Sequence, residues 1–124
     1  MSKSPKSAPE STKLLSVEQI QAEIHRARDL ARAALPEALA GIVDKLTVGS
    51  NLLQSMGQIE LVAWEDHLSV PESCACAFAL SAMLYRELPL SDWDALEDHI
   101  RDRVAARRAF LQKMSSESSP NNDT

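Results

Sequence analysis

Apolar residues recur at three- and four-residue steps over most of residues 15–114, which is the period of an amphipathic helix. The first segment begins at Ser16, whose side chain is placed to form a capping box with Gln19. It is expected to end at Leu35, because Pro36 disfavours helical geometry in the residue before it. The stripe that this helix should bury consists of Ile20, Ile24, Ala27, Ala31 and Ala34.

A second periodic stretch covers residues 37–68 and is compatible with one long helix or with two. The sequence TVGSN at residues 47–51 favours a break, with Gly49 as a C-cap and Ser50 or Asn51 capping the next helix. Two small residues on the stripe would also leave gaps in a continuous seam. The heptad-like spacing suits an antiparallel dimer as well as packing within one bundle, so both remain open. The stripe consists of Leu39, Val43, Leu46, Ser50, Leu53, Gly57, Leu61, Trp64 and Leu68.

The third segment contains a run from Ser73 to Tyr85 without any charged residue. We expect a helix over about 71–88, with Pro71 near its first turn and Pro89 ending it. A helix that is apolar nearly all round is usually enclosed by its neighbours. The pattern therefore predicts that this helix is the buried centre of the fold.

The last segment begins at Ser91, a predicted N-cap, with acids in its first half and basic residues towards its C-terminus. Arg107 lies on the apolar stripe, where a charge belongs only if the stripe meets a partner or ends there. The predicted stripe consists of Trp93, Leu96, Ile100, Val104, Leu111 and Met114.

These patterns predict an all-α fold, an antiparallel bundle of four or five helices, since no stretch alternates with period two. The bundle should occupy residues 15–114 as a single domain. Residues 1–14 and 115–124 are rich in Ser, Pro and Asn and are expected to be disordered tails.

The amino-acid composition argues against several classes of function. The 13 Lys and Arg against 18 Asp and Glu give a net charge of -5, where a nucleic-acid binder usually has a basic surplus. Only 4% of the residues are aromatic, too few for base-stacking platforms. The N-terminus lacks the apolar region of a secretory signal, and the uncharged run is shorter than the roughly 20 residues of a membrane span. We therefore expect a cytoplasmic protein without a membrane segment.

Two types of residue in the sequence could carry chemistry, cysteine and histidine. Cys74 and Cys76 point about 200° apart on a helix and are interpreted as small apolar packing residues. A metal site built from His67, Cys74 and Cys76 is the alternative, although no fourth ligand has a suitable spacing. His67 and His99 follow Glu-Asp pairs, and His25 lies on the first helix, yet helix surfaces routinely carry such residues. No catalytic motif is present, so we expect neither an enzyme nor a cofactor.

The basic end of the last helix is the candidate partner-binding region, and its residues are Arg103, Arg107, Arg108 and Phe110. They could contact a protein or, as the alternative, a nucleic acid.

The segment AFALSAMLYRELPLSDWDAL, residues 77–96, resembles the helical segment of nitrile hydratase β subunits and their small activator proteins. Ala77, Phe78, Ala79, Leu80 and Trp93 match that family's Ala-Phe-Ala-Leu helix and the Trp-containing helix after it. The family's Trp-Glu lead-in differs, because Trp-Glu lies further upstream here, and the spacing to the second tryptophan is short by about two residues. The resemblance implies an assembly or metal-loading accessory of a partner enzyme.

The sequence thus favours a non-catalytic helical interaction protein, which acts as an accessory, chaperone, maturation factor or regulator of a partner protein. A small nucleic-acid-binding regulator and a metal-handling factor of the nitrile hydratase type are the alternatives. A homodimer is compatible with the same patterns.

Overall fold

A computed structural model describes residues 15–117, which form α-helices and one short 3-10 helix, with no strand in that range. The all-α prediction is confirmed. The tails predicted for residues 1–14 and beyond 117 lie outside the described part of the chain, whereas residues 115–117 belong to the last helix. The elements are α1 (Val17–Ala34), α2 (Glu37–Asp44), α3 (Gly49–Leu61), a 3-10 helix (Glu65–His67), α4 (Ser69–Leu84) and α5 (Leu90–Glu117).

The ends of α1 are those that the sequence predicts. The Ser16 hydroxyl accepts from the backbone N–H of Gln19 at 3.1 Å, and the Gln19 side chain accepts from the Ser16 N–H at 2.8 Å. Together they satisfy two N–H groups that a helix start leaves unpaired. Leu35 is extended, with φ -75° and ψ 139°, as expected for the residue before Pro36.

The contact between α1 and α3 depends on Gly57. A Cβ atom at this position would lie 1.9 Å from the carbonyl oxygen of Ala27, which is itself fully buried. The missing side chain therefore leaves no gap in the α3 stripe. It allows the backbones of the two helices to approach each other closely.

The predicted break between α2 and α3 is confirmed, but its capping differs from the prediction. Gly49 is the first residue of α3 rather than a C-cap, and Val48 occupies the N-cap position. A Cβ atom on Gly49 would lie 2.3 Å from the carbonyl oxygen of Val43, so the tight turn requires glycine. The stretch also ends early, because α3 stops at Leu61 and a loop with the 3-10 helix follows.

The prediction that α4 is the enclosed central helix is wrong. α3 occupies that position and packs against α1, α2, α4 and α5. In α4 the buried residues are small, namely Pro71, Ala75, Ala79 and Ala82. The apolar content of α4 is high, but Val70, Leu80 and Leu84 lie on the side away from the core, while Phe78 and Met83 pack partly against the core.

The end of α4 is a compact turn. Arg86 adopts φ 65°, and the N–H groups of Glu87 and Leu88 donate to the Ala82 carbonyl at 2.9 and 3.3 Å. α4 therefore ends at Leu84, five residues before Pro89. The Glu87 carboxylate accepts from the N–H and the hydroxyl of Thr47 at 2.8 and 2.7 Å, which joins this turn to the one between α2 and α3.

α5 begins at Leu90, so Ser91 lies inside its first turn and is not the N-cap that the sequence predicts. Leu96, Ile100 and Val104 are buried as expected, whereas Met114 is exposed. The end of α5, after the half-buried Leu111, thus continues past the core.

Candidate interaction surface

One side of α4 is apolar and faces away from the core. Successive residues of an α-helix are rotated by about 100° around its axis. On the side of α4 that is centred on Ala77, within about 80° of rotation in either direction, no residue is charged. The only charged residue of α4, Glu72, lies on the other side and is half-buried. We call the exposed set the outward face of α4; it consists of Ser69, Val70, Ser73, Cys74, Ala77, Leu80 and Leu84, with Tyr85 directly after the helix.

The large side chains of this face are strongly exposed. Val70 and Leu84 each expose 66% of their surface, Tyr85 78% and Leu80 41%. Together they present on the order of 500 Å² of mostly apolar surface, in the range where a contiguous patch marks an interaction site. Leaving such a surface in water costs free energy that a packed neighbour would recover.

The helical stretch Glu65–Leu84 is long and apolar enough to cross a membrane by length and composition alone. Only 28% of the most apolar 18-residue segment of this stretch is buried. Its inner side packs against α3 and α5, so the exposed apolar surface belongs to one side of the helix.

An open groove of about 400 Å³ adjoins the N-terminal end of the outward face. It lies between the end of α3 and the start of α4, and its walls include Ser55, Gln58, Val62, His67, Val70 and Cys74. The groove is mainly apolar and extends the outward face towards α3.

The two cysteines have different surroundings. Cys74 is exposed, so its interpretation as a core residue is wrong. Cys76 is half-buried, and its pKa is raised to about 11, first by burial and then by the nearby Glu97 carboxylate. A thiol with that pKa is neutral near neutral pH and is a poor nucleophile.

The structure does not assemble the metal alternative. His67 and Cys74 line the same groove, whereas Cys76 lies towards Glu97 of α5. Among residues 15–117 no group of three or more His, Cys, Asp or Glu side chains is placed to hold a metal ion.

Three of the four acids that directly precede His67 and His99 pair with other residues. Glu97 and Asp98 both accept from Arg101, at 3.2 and 3.5 Å, and Glu65 accepts from Gln112 at 2.9 Å. The similar sequences around His67 and His99 therefore do not build carboxylate–histidine pairs.

His99 is half-buried in α5, beside the ion pair of Glu60 with Arg103. Its Nε2 atom is buried without a hydrogen-bond partner among the described residues. Burial, followed by the charge of Arg103, lowers the pKa of His99 below its usual value. This histidine is thus held neutral inside the bundle.

The arginines of the predicted partner-binding region make contacts within the chain. Arg103 forms a bidentate ion pair with Glu60 of α3, in which its Nε and Nη2 atoms donate to the two carboxylate oxygens at 2.8 and 2.9 Å. This pairing raises the pKa of Arg103. Arg108 lies 3.4 Å from Glu65.

Arg107 donates twice to the Val62 carbonyl, at 3.2 and 2.8 Å, and its guanidinium carbon lies 4.7 Å from the centre of the Phe110 ring. Val62 is the C-cap of α3, so a cationic donor satisfies the carbonyl end of that helix. This contact explains why a charged residue lies on the apolar stripe of α5, because Arg107 caps the end of α3 at this position. Whether these residues also contact a partner stays a prediction.

No family model, curated protein or solved structure matches this chain. The resemblance to nitrile hydratase β subunits and activators stays a prediction. The sequence also did not identify the outward face of α4 as a candidate. The signal was present in the helical spacing, since Val70, Leu80 and Leu84 lie on one side of α4 and the buried Ala75, Ala79 and Ala82 lie on the other.

Proposed function

We propose that this chain is a cytoplasmic, non-catalytic helical interaction protein. It acts as an accessory, maturation factor or regulator by binding a helix of a partner protein on the outward face of α4. The observation that carries this proposal is the uncharged, exposed side of α4 from Val70 to Leu84.

A partner helix suits this surface for geometric reasons. α4 has 16 residues, so the face is about 24 Å long and straight, the shape that an amphipathic helix covers with its apolar stripe. Small residues, Ser73, Cys74 and Ala77, lie between the large ones and let a second helix approach closely. The adjoining groove beside Val62 and His67 gives room for one further anchor residue.

The alternatives receive less support from the same residues. A nucleic-acid site would need free guanidinium groups, yet Arg103 and Arg107 already donate to Glu60 and Val62, and Arg108 forms an ion pair with Glu65. A maturation factor of the nitrile hydratase type would be a special case of the proposal, with the enzyme as the partner.

The test is a photo-reactive amino acid introduced at Leu84 and, in a matched control variant, at the exposed Leu30 of α1, with irradiation in the native cell. We expect a covalent adduct with one identified protein from position 84 and not from position 30. The attached peptide should have apolar residues at helical spacing, and Leu80→Lys should abolish the adduct while Leu30→Lys leaves it.

Two outcomes would overturn the proposal. One is an adduct pattern that is the same from both positions, which would indicate random collisions. The other is an adduct from position 84 that contains only this chain, because the face would then serve self-association and no other protein.

A further inference from the structure

We infer that a second copy of this chain covers the outward face of α4 when no other partner is bound, in an antiparallel α4–α4 pair with its two-fold axis at Ala77. This inference rests on the proposed function, since it takes the face to be an interaction surface and names its resting occupant. Binding of another protein to the same face must then dissociate the pair.

Two pairs of positions along this side of α4 match in size about Ala77. A two-fold axis there places Val70 opposite Leu84 of the second copy and Ser73 opposite Ser81. These two pairs match in size, the first large with large and the second small with small, whereas Cys74 meets Leu80 and Ser69 meets Tyr85. In a C2 dimer the same surface of both copies forms the interface, so every contact between two positions occurs twice. Pairs of matched size therefore favour such an interface.

Ala77 itself allows the close approach that the axis requires. It is exposed and lies at the centre of the face. Two helices that meet through alanine can pack at the short end of the usual 8–10 Å interaxial range. Cys74 would lie opposite Leu80 of the second copy, which adds an apolar contact on each side of the axis.

Charges at the two ends of α4 favour the antiparallel orientation. Asp66 is exposed just before the helix, and Arg86 is exposed just after it. Among the described residues neither forms a salt bridge. An antiparallel pair brings each Arg86 within side-chain reach of the other copy's Asp66 and also opposes the two helix dipoles.

A protein partner fits this face better than a lipid surface does. Helices that bind membrane surfaces usually carry Lys and Arg on their polar side. α4 has none, and its one charged residue is Glu72. The exposed area per copy, about 500 Å² from the large side chains alone, is near the lower limit for a stable dimer, so the pair should dissociate on dilution.

The decisive experiment is a cysteine placed on the axis. In the full chain with Cys74→Ser and Cys76→Ala, Ala77→Cys should form an intermolecular disulfide under mild oxidation, because the two Cβ atoms would lie close together. Ala22→Cys, at an exposed alanine of α1, is the matched control and should stay mostly unlinked.

Sedimentation of the uncrosslinked protein gives the second measurement. We expect a monomer–dimer equilibrium that Leu80→Lys shifts to the monomer and that Leu30→Lys leaves unchanged. Asp66→Arg and Arg86→Asp should each weaken the dimer, and the double variant should recover most of the loss. Circular dichroism confirms that each variant is folded.

Three results would overturn the inference. The first is a monomer at every concentration, which leaves the proposed function intact if position 84 still crosslinks to another protein. The second is a dimer whose disulfide forms as readily from position 22 as from position 77. The third is flotation of the chain with lipid vesicles that Leu80→Lys abolishes, which would identify a membrane as the occupant.

Discussion

Replacing Gly57 by alanine tests the closest backbone contact in the bundle. The added Cβ atom would lie 1.9 Å from the Ala27 carbonyl oxygen, and side chains essentially never approach closer than 3.0 Å. α1 and α3 must therefore move apart by about 1 Å. A gap of that size removes a quarter to a half of the dispersion energy of the contacts it opens.

The expected cost follows from two opposing effects. Overpacking of this kind destabilises by about 1–3 kcal/mol. Alanine in place of glycine within a helix offsets up to about 1 kcal/mol of that cost through backbone entropy. We expect Gly57→Ala to lower the free energy of unfolding by about 1–2 kcal/mol, or Tm by roughly 5–15 °C for a domain of this size.

Gly41 provides the matched control, because it lies within α2 and a Cβ atom there meets nothing within 4 Å. Gly41→Ala should raise the free energy of unfolding by about 0.5–1 kcal/mol. Urea denaturation followed by circular dichroism measures both variants, at one protein concentration so that association is equal. If Gly57→Ala is as stable as Gly41→Ala, the close α1–α3 crossing is refuted.

Three further outcomes are expected. Arg107→Ala should destabilise the fold by about 1–2 kcal/mol, since it removes two charged hydrogen bonds to the end of α3, whereas Arg108→Ala breaks only an exposed pair and should cost less than about 1 kcal/mol in thermal unfolding. Stability should fall as the pH drops below the ordinary histidine value, because the pKa of His99 is lowered in the folded state and the unfolded chain then binds more protons; His99→Gln should flatten that part of the profile. In protein diluted until it is monomeric, a thiol reagent at mildly alkaline pH should modify Cys74 quickly and Cys76 slowly, and mass spectrometry that finds equal rates would contradict the raised pKa of Cys76.

Local signals in the sequence predicted much of the fold. Ser16 and Gln19 specify the start of α1, and Pro36 limits its end, because both effects act within a few residues. The break between α2 and α3 was also predictable. The role of Gly49 was not, since its close approach to the Val43 carbonyl arises only once the turn has folded.

The interaction surface was harder to predict because burial depends on what packs against a helix. The run from Ser73 to Tyr85 is uncharged, but its fully buried positions are all alanines, whereas the larger Leu80, Leu84 and Tyr85 are exposed. A single chain that lacks a partner for the outward side leaves those residues in water. The apolar content of the run predicted that the helix is buried. The position of each residue around the helix axis determines which side of the helix is buried.

Arg103, Arg107 and Arg108 tie the second half of α5 to residues 60–65. Beyond Val104, α5 buries little apolar surface, so these polar bonds carry much of its attachment. In native-state hydrogen exchange, the amide hydrogens at the end of α5 and those in the linker before α4 should therefore exchange together, as one cooperative unit. The free energy of this local opening should be lower than the free energy of global unfolding. Because this linker leads directly into Ser69, loosening the far end of α5 would also loosen the start of α4.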